Sequence, residues 1–572
     1  MSVFGSPVSR STGARSPNPQ DPPKPVRINR VPGLVTALAI IYFVVTTSLW
    51  PTRPGLYMDE SNFVNAALGG HFPHQDFVSS RVGGTPVMIL PYIGVLKSAL
   101  FAPVFALFGV SALSIRLPVV VLSALSLVVA YFLARRIAGR WAAAVLVVLM
   151  ASCPSFAFMS KVDWGPVVLA MLLKLAAFLA FFLLLETLHV RWLWVLLGCL
   201  LLGVYNKQDF AWVVFALVVA AGTFYWQPLW DIFRRRTRAI TVTVGVFAFS
   251  AALALPLVLR NLSLGSGRPG ALQNPVTHLS STWRIYENSI GYSEVVSFVT
   301  GHTVNQPAWT DWLWVPTLAC LGILGLLRLQ GPLPSKAKGP ARAALFFLVV
   351  GLVMFVEIAA TTHAVGPYHL IELWPFQDLV LLCSVTAALV SGSRAWAPIT
   401  TIALSIALVG TLAAQGVATK YFVSLMQNVN GVRPVFSTDV YRDTSFLNSN
   451  AQTVDQIVSA GWGPGTPLFS LSCPKDRHKY RDDQYRHLAS LTRQNAPRVL
   501  RLLWGNQKVF LVSVSHPTRA GLPSYLRSNL TLIENAYRDV FPGRQPKLVL
   551  ATGAYNITYL GPGTFVPAHD HC

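Results

Sequence analysis

Apolar stretches of roughly 20 residues recur from residue 31 to residue 416, separated by short polar segments. A helix needs about 20 apolar residues to cross the hydrocarbon core of a bilayer, so each stretch predicts a transmembrane span. The predicted spans are residues 31–50, 114–134, 141–158, 165–186, 192–206, 209–226, 239–259, 310–328, 343–361, 372–391 and 397–416. The pattern therefore predicts a polytopic α-helical membrane protein with about eleven transmembrane helices.

The segments on either side of the spans differ in character. Residues 1–30 are rich in Pro, Ser and Arg and predict a disordered cytoplasmic N-terminus. Residues 417–572 instead alternate short β-like runs, such as 509–514 and 547–551, with helix-like stretches such as 524–540. Such alternation is typical of a soluble α/β domain. The predicted organisation is thus a disordered segment, a transmembrane catalytic domain at 31–416 and a soluble domain.

The first loop, residues 51–113, contains an apolar segment at 86–108 that is long enough to span. A further span there would place Arg135 and Arg136 on the outer side, and prolines and Lys97 interrupt the segment. We therefore predict one or two helices lying in the outer membrane interface.

Composition supports the membrane prediction, because 53% of the residues are hydrophobic, 12% are charged and the mean hydropathy is +0.50. The net charge of +22 is spread over short loops and forms no basic face, which argues against a nucleic-acid partner. Basic clusters at 10–30, 135–140, 234–238 and 328–342 fall on one side if the spans alternate, and that side is cytoplasmic. Residues 417–572 are then extracytoplasmic, and the protein is predicted to be a multi-pass protein of the cell (inner or plasma) membrane.

Cysteine usage leaves one question open. Cys473 and Cys572 both lie in the predicted outer domain, where they either pair or stay free. The other four lie in or beside spans and are predicted to be packing residues.

Acidic and basic side chains gather on the predicted outer face. A carboxylate there could act as general base on an acceptor hydroxyl while Lys and Arg hold a leaving phosphate. Alternatively, each residue snorkels or caps a helix end. The residues in question include Asp59, Glu60, Asp76, Arg81, Lys161, Asp163, Lys207, Asp209, Tyr368, His369 and Glu372.

Two further ionisable residues, Lys174 and Glu357, are predicted to lie within spans. A charge inside the membrane faces a cavity or a partner, because it is costly in lipid. These two either pair with each other, or Lys174 lines a groove for an anionic lipid.

The order of several segments resembles the N-terminal half of the GT-C membrane glycosyltransferases, over roughly residues 55–210. The resemblance is to glycosyltransferase family 39, which includes protein O-mannosyltransferases and the lipid A aminoarabinose transferase. The segments that carry it are Asp59-Glu60, Gly-Gly-His-Phe-Pro-His-Gln-Asp-Phe at 69–77, Leu-Phe-Gly-Val-Ser at 107–111, Ile-Arg-Leu-Pro at 115–118 and Tyr-Phe-Leu-Ala-Arg-Arg at 131–136.

The resemblance implies a GT-C fold with Asp59 as the catalytic base, Lys161 and Asp163 lining the site and Lys207 binding a lipid phosphate. The predicted catalytic residues are Asp59, Glu60 and Asp163. The predicted substrate-binding residues are Tyr57, Asp76, Arg81, Lys161, Lys207, Tyr368 and His369, and no metal ligands are predicted.

Two segments depart from the family pattern. Gly-Gly-Thr-Pro at 83–86 stands where relatives usually have His-Pro-Pro or Lys-Pro-Pro. Tyr368-His369 stands where they often have Arg-Tyr. The phosphate and acceptor contacts at these two places therefore stay open.

Topology gives a separate argument about the donor. Nucleotide sugars are cytoplasmic, so an outward-facing transferase needs a donor that has already crossed the bilayer, and a polyprenyl-phosphate sugar fits. We predict transfer with inversion to a hydroxyl of a glycan, lipid or protein acceptor. No cofactor is expected to be required, although the outer carboxylates could bind Mg²⁺ or Mn²⁺. The rival class is a transporter or flippase, which would show two matching halves with helices broken at the midplane.

Overall fold

The structure is a computed structural model that describes residues 30–69, 78–265, 275–301, 317–319, 321–325, 332–360, 366–391, 396–428, 432–460, 465–481, 492, 494–514 and 524–568. The helices up to residue 265 are α1 Val31–Ser48, α2 Met58–Ala67, α3 Leu96–Phe108, α4 Ala112–Ser152, α5 Pro154–Lys161, α6 Val167–Thr187, α7 Arg191–Asn206 and α8 Ala211–Gly265. The later helices are α9 Pro275–Ile290, α10 Ser293–Thr300, α11 Ser335–Ala360, α12 Pro367–Leu370, α13 Phe376–Val390, α14 Trp396–Gln427, α15 Asp439–Asn450, α16 Gly465–Ser470, α17 Ala496–Leu503 and α18 Ser524–Val540. The strands are β1 Ser80–Val82, β2 Thr85–Leu90, β3 Ile93–Gly94, β4 Gln456–Ala460, β5 Tyr480–Arg481, β6 Val509–Val514, β7 Lys547–Ala551 and β8 Tyr555–Leu560.

Within the described residues, 7 helices are long and apolar enough to cross a membrane. They are α1, α4, α6, α8, α11, α13 with the turn before it, and α14. The predicted polytopic helical fold is therefore confirmed.

The number of predicted spans is larger than the number of long helices, because two of these helices each correspond to two predicted spans. Helices α4 and α8 each cover two predicted spans. Non-helical backbone, at Gly139 in α4 and at Arg236 in α8, separates the two spans within each helix. Gly139 takes φ 89°, a left-handed conformation that favours glycine. Helix α7, at the predicted span 192–206, has 16 residues and is not among these 7 helices. The predicted span 310–328 lies mostly outside the described residues.

The segment 86–108 differs from its prediction in its first half. Strands β1, β2 and β3 form a three-stranded antiparallel sheet, and only α3 is helical. Gly83 and Gly84 both take positive φ at the turn between β1 and β2, so the chain reverses there and cannot continue as a helix. The result is a hairpin that stands beside α2.

The membrane part packs around α4, which contacts α1, α6 and α13, while α11 packs on α13. Aromatic side chains fill much of this core, and the Phe181 and Phe346 rings stack at 5.4 Å. Rigid rings held between helices fix the helix positions from which the outer loops project.

Helix α14 runs to Gln427, past the predicted domain boundary at 416. Beyond it lies a five-stranded sheet in the order β5-β4-β6-β8-β7. Strand β4 is parallel to β5 and β6, and β8 is antiparallel to β6 and β7. Cys473 is disulfide-bonded, whereas Cys572 lies outside the described residues, so their pairing stays a prediction.

The C-terminal domain, residues 432–568, packs directly against the first loop. A shared apolar core joins Leu56, Val64 and Phe101 to Leu447 and Leu468 of that domain. The two parts of the chain therefore form one continuous body above the spans, with α2 at their boundary.

Candidate active site

The first turn of α2 carries the acidic pair that is prominent in the sequence. The backbone N–H of Tyr57 donates to Glu60 Oε1 at 2.6 Å, which caps the start of the helix. Arg116 from α4 donates from Nη2 to Glu60 Oε1 at 2.6 Å and from Nε to Oε2 at 2.9 Å. The Arg116 guanidinium also donates to the carbonyls of Pro51, Pro54 and Gly55. Glu60 and Arg116 thus anchor the loop that presents Asp59.

Asp59 faces a cleft of about 450 Å³, a volume that includes the open solvent at its mouth. The cleft lies between α2, the β2–β3 hairpin and the ends of α5 and α7. Its lining residues are Asp59, Asn62, Phe63, Ile89, Leu90, Tyr92, Ile93, Trp164, Gly165, Lys207 and Tyr368. A mostly apolar pocket with a few convergent polar groups is the usual form of a small-molecule site.

Lys97 of α3 and Asp163 of the α5–α6 loop form a buried ion pair beside Asp59. Their Nζ and Oδ2 atoms are 2.8 Å apart, and both side chains are at most 2% exposed. Lys97 also lies 4.2 Å from the centre of the Phe63 ring, and Asp163 Oδ1 accepts from the Val168 amide at 3.4 Å. A pair held on both sides in this way can keep fixed charges next to the cleft.

Lys207 forms the opposite polar edge of the cleft. Its Nζ lies 2.5 Å from Asp209 Oδ2 and 3.6 Å from Glu372 Oε1, and it sits 5.6 Å from the centre of the Tyr368 ring. His369 Nε2 lies 3.8 Å from the same Asp209 oxygen. The Lys207 ammonium thus has two carboxylates beside it.

Asp59 differs from the other acids because no ion pair or hydrogen bond to its carboxylate is found among the residues that the structure describes. Burial is the largest cause that raises the pKa of Asp59, to about 6. Lys97 acts in the opposite direction and lowers it, while the nearby Asp163 raises it further. A carboxyl group with a pKa close to neutral is suited to exchange protons with a substrate hydroxyl.

Aromatic rings connect Asp59 to the C-terminal domain. Tyr57 stacks on Phe436 at 4.6 Å and meets the edge of Phe298 at 6.2 Å. Phe298 in turn contacts Trp164, a wall of the cleft, at 4.7 Å, and Trp164 approaches Tyr368 at 6.4 Å. The cleft is therefore backed on this side by a continuous aromatic wall, to which the C-terminal domain contributes one ring.

The β2–β3 hairpin is fixed to the end of α7. Ile93 pairs with Lys207 as an isolated antiparallel bridge, and the Gln208 amide donates to the Tyr92 carbonyl at 3.0 Å. Gly94 passes so close to α7 that a Cβ there would lie 2.2 Å from the carbonyl oxygen of Tyr205. Only glycine allows this approach, and it positions Ile93 and Tyr92 at the cleft.

The structure brings most of the predicted site residues together around this cleft. Asp59, Lys207 and Tyr368 line it, while Tyr57, Glu60, Asp163 and His369 lie immediately behind its walls.

Two predicted residues lie away from the cleft, and a third lies outside the described residues. Lys161 is buried and donates to the carbonyls of Thr47, at 3.1 Å, and of Leu49 at the end of α1. Arg81 donates to the carbonyl of Gly69, just after α2, and to that of Gly84 in its own hairpin. Asp76 lies outside the described residues.

The two intramembrane charges do not pair with each other. Lys174 instead donates to the carbonyls of Glu372, at 2.5 Å, and Trp374, at 2.8 Å. It thereby satisfies the backbone of the turn before α13, directly behind Lys207. Glu357 Oε2 is buried with no hydrogen-bond partner among the described residues.

Several residues of the site were not identified from the sequence. In the sequence Lys97 interrupts an apolar segment, and a lone lysine in such a segment already indicates a buried acidic partner. Asn62, one helical turn after Asp59, has a buried Oδ1 with no partner among the described residues. Tyr92 and Trp164 gave no sequence signal, because apolar and aromatic residues are common at interfaces of this kind.

No group of three or more His, Cys, Asp or Glu that could hold a metal ion is found in the part of the chain that the structure describes. The expectation that no metal is required, with Mg²⁺ or Mn²⁺ as alternatives, stays a prediction.

Comparison with known proteins places this arrangement in context. Residues 95–254 match the family described as dolichyl-phosphate-mannose-protein mannosyltransferase. Sequence comparison with curated proteins gave no match.

Among solved structures, the chain is similar to ArnT from Cupriavidus metallidurans in the apo state, with a TM-score of 0.55, 13% identity, and coverage of 93% of this chain and 99% of that one. The same protein bound to undecaprenyl phosphate has a TM-score of 0.50 and 14% identity, with coverage of 93% of this chain and 99% of that one. The Archaeoglobus fulgidus oligosaccharyltransferase in complex with Zn and sulfate has a TM-score of 0.53 and 12% identity, with coverage of 92% of this chain and 73% of that one.

Proposed function

Because the fold is that of the GT-C membrane glycosyltransferases, we propose that this protein moves a sugar from a polyprenyl-phosphate-linked donor to an acceptor hydroxyl, with inversion, at the extracytoplasmic face. The acceptor is a glycan, a lipid or a protein. Supporting the donor class, ArnT is a protein of the same fold whose structure contains undecaprenyl phosphate.

One observation carries the proposal: the Asp59 carboxylate faces the cleft without a partner of its own among the described residues, and its pKa is raised to about 6. The other acids around it, Glu60, Asp163 and Asp209, are each held by a cation. A base must be free to take a proton, so Asp59 is the carboxylate of this group that fits the role.

In the proposed step, Asp59 removes the proton from the acceptor hydroxyl, and the acceptor oxygen attacks the anomeric carbon of the sugar. The bond from that carbon to the phosphate oxygen breaks, and polyprenyl phosphate leaves with the bonding electrons. Attack from the face opposite the phosphate inverts the anomeric centre. Glu60, with Arg116, positions the helix that carries Asp59, and the Lys97–Asp163 pair sets the charge beside it.

The leaving phosphate requires positive charge at the membrane surface. We assign this role to Lys207, which lines the cleft next to Tyr368. We assign Lys161 a structural role and not a phosphate-binding one, because its ammonium already donates to two carbonyls at the end of α1. His369 supports the same edge through Asp209.

The proposed orientation places the cleft and the C-terminal domain outside the cell membrane. The distribution of basic residues among the loops supports it. The disulfide at Cys473 is consistent with it, since disulfides persist in oxidising compartments.

The test is to replace Asp59 with Asn in the full chain, purified in detergent, and to measure release of polyprenyl phosphate from a polyprenyl-phosphate sugar. We expect turnover to fall by at least about 100-fold, the usual contribution of a positioned general base, with donor binding little changed. Asp539→Asn, on the exposed face of α18, removes the same charge far from the cleft and serves as the matched control. Turnover near the parent value in a folded Asp59→Asn variant would reject Asp59 as the base.

A further inference from the structure

The cations around Asp59 are already matched by carboxylates. Lys97 pairs with Asp163, Arg116 with Glu60, and Lys207 with Asp209 and Glu372. Three cations thus face four carboxylates, and Asp59 adds a fifth. An incoming phosphate oxyanion would add more negative charge to this site. Lys207, the cation assigned to the phosphate, is shared with two carboxylates, so further positive charge has to come from another part of the chain.

Arg433, at the start of the C-terminal domain, is a cation that has no such partner in the part of the chain that the structure describes. No ion pair or side-chain hydrogen bond to Arg433 is found among the residues that the structure describes, and its Nε is buried with no acceptor. The centre of its guanidinium lies 5.4 Å from the centre of the Phe298 ring. Phe298 contacts both Tyr57 and Trp164, so Arg433 borders the aromatic wall that backs the cleft.

The backbone holds Arg433 in this position. Its N–H donates to the Val299 carbonyl at 2.8 Å, and its carbonyl accepts from the Phe436 N–H at 2.8 Å. Burial lowers the pKa of Arg433, and the Tyr57 phenol is the neighbouring group that offsets part of this effect. An arginine stays protonated even so. A half-buried guanidinium whose Nε–H meets no acceptor among the described residues is well suited to bind an oxyanion.

We propose that Arg433 is a substrate-binding residue that receives a phosphate oxyanion at the aromatic wall of the cleft, next to Tyr57 and Phe298, and that the C-terminal domain thereby completes the site. The inference rests on the proposed function, because it concerns the same cleft. The phosphate belongs either to the lipid-linked donor or to a phosphate-bearing acceptor.

The test uses the full chain in detergent and polyprenyl phosphate without sugar as the probe. Arg433→Met keeps the aliphatic stem on Phe298 and removes the charge, whereas Arg433→Lys keeps the charge. Arg498→Gln, on the exposed face of α17, is the control for loss of one positive charge. Affinity for polyprenyl phosphate, KM for the acceptor and the melting temperature are measured for each.

If the oxyanion is that of the donor, Arg433→Met should weaken polyprenyl phosphate binding by about tenfold or more, Arg433→Lys should recover part of it, and Arg498→Gln should match the parent. A rise confined to the acceptor KM would assign the phosphate to the acceptor and would also support the proposal. Unchanged affinity and KM in a folded Arg433→Met variant would overturn it. The proposal would also be overturned if Arg433→Met lowered only the melting temperature, with normal affinity in the folded fraction, and Arg433→Lys restored that temperature. The Arg433 charge would then serve domain packing.

A parent protein that binds no polyprenyl phosphate would instead count against the proposed function itself. The two failures are therefore distinguishable in one experiment.

Discussion

Neutralising either partner of the Lys97–Asp163 pair should move the pH dependence of the reaction, and the two replacements should move it in opposite directions. Lys97 lowers the pKa of Asp59 and Asp163 raises it. Lys97→Met should therefore raise the Asp59 pKa above about 6, and Asp163→Asn should lower it. Both replacements break the same ion pair, so loss of the pair alone cannot produce opposite effects.

The expected size follows from the charges. A charge within about 4–6 Å shifts a carboxyl pKa by about one to three pH units. We expect the lower end, about one pH unit or about 1.4 kcal/mol, because Asp163 can take up a proton once Lys97 is gone. Asp59 acts as a base when deprotonated, so the rate falls as the pH drops through its pKa. The acid limb near pH 6 should thus move to about pH 7 in Lys97→Met and about pH 5 in Asp163→Asn.

The assay is kcat/KM over about pH 4.5 to 9, with thermal unfolding recorded for each variant. Removing one member of a buried pair costs about 3–5 kcal/mol of stability. The double variant Lys97→Met with Asp163→Asn leaves no unpaired charge and serves as the folded control. Its acid limb of kcat/KM should return close to the parent position. Acid limbs that stay in place, or that move in the same direction in both single variants, would refute the electrostatic argument.

Two further predictions concern the supports of the site. Glu60→Gln should lower the free energy of unfolding by about 3–5 kcal/mol, because it leaves the buried Arg116 guanidinium without its carboxylate; an unchanged melting curve in detergent would contradict this. Gly94→Ala should lower kcat/KM by about tenfold, because its Cβ would lie 2.2 Å from the Tyr205 carbonyl and push the hairpin off the cleft. Gly222→Ala, where a Cβ meets no atom within 4 Å, is the control, and equal rates for both would show that the hairpin position does not matter.

The sequence could predict those features that depend on a local pattern of apolar and charged residues. Apolar length identified most of the spans, and the acidic pair after the first span pointed to Asp59, which lines the cleft. The β-hairpin was predicted incorrectly as helix, since apolar residues of 86–94 suit either structure and the deciding features are the turn at Gly83 and Gly84 and the contact with α7. Hydrophobicity alone does not separate these cases.

Pairings between distant residues could not be predicted. Lys97 and Asp163 meet only because α3 lies beside the α5–α6 loop, and Arg116 reaches Glu60 across 56 positions. Arg433 lies still further along the chain, in a domain whose position on the first loop has no local sequence signal. The chemistry of the site depends on these long-range contacts, whereas its location depends on the local pattern.

The contact between the first loop and the C-terminal domain also constrains how the protein is made. The Gly55 N–H donates to the Phe436 carbonyl at 2.7 Å, and Arg53 donates to the carbonyl of Gln427, the last residue of α14, at 2.7 Å across 374 positions. A ribosome therefore completes almost the entire membrane part before the stacking partner of Tyr57 exists. During that interval α2 is inserted next to the bilayer without the ring that supports its first turn. We therefore expect activity to require the completed C-terminal domain, because a chain released early carries Asp59 but not Phe436.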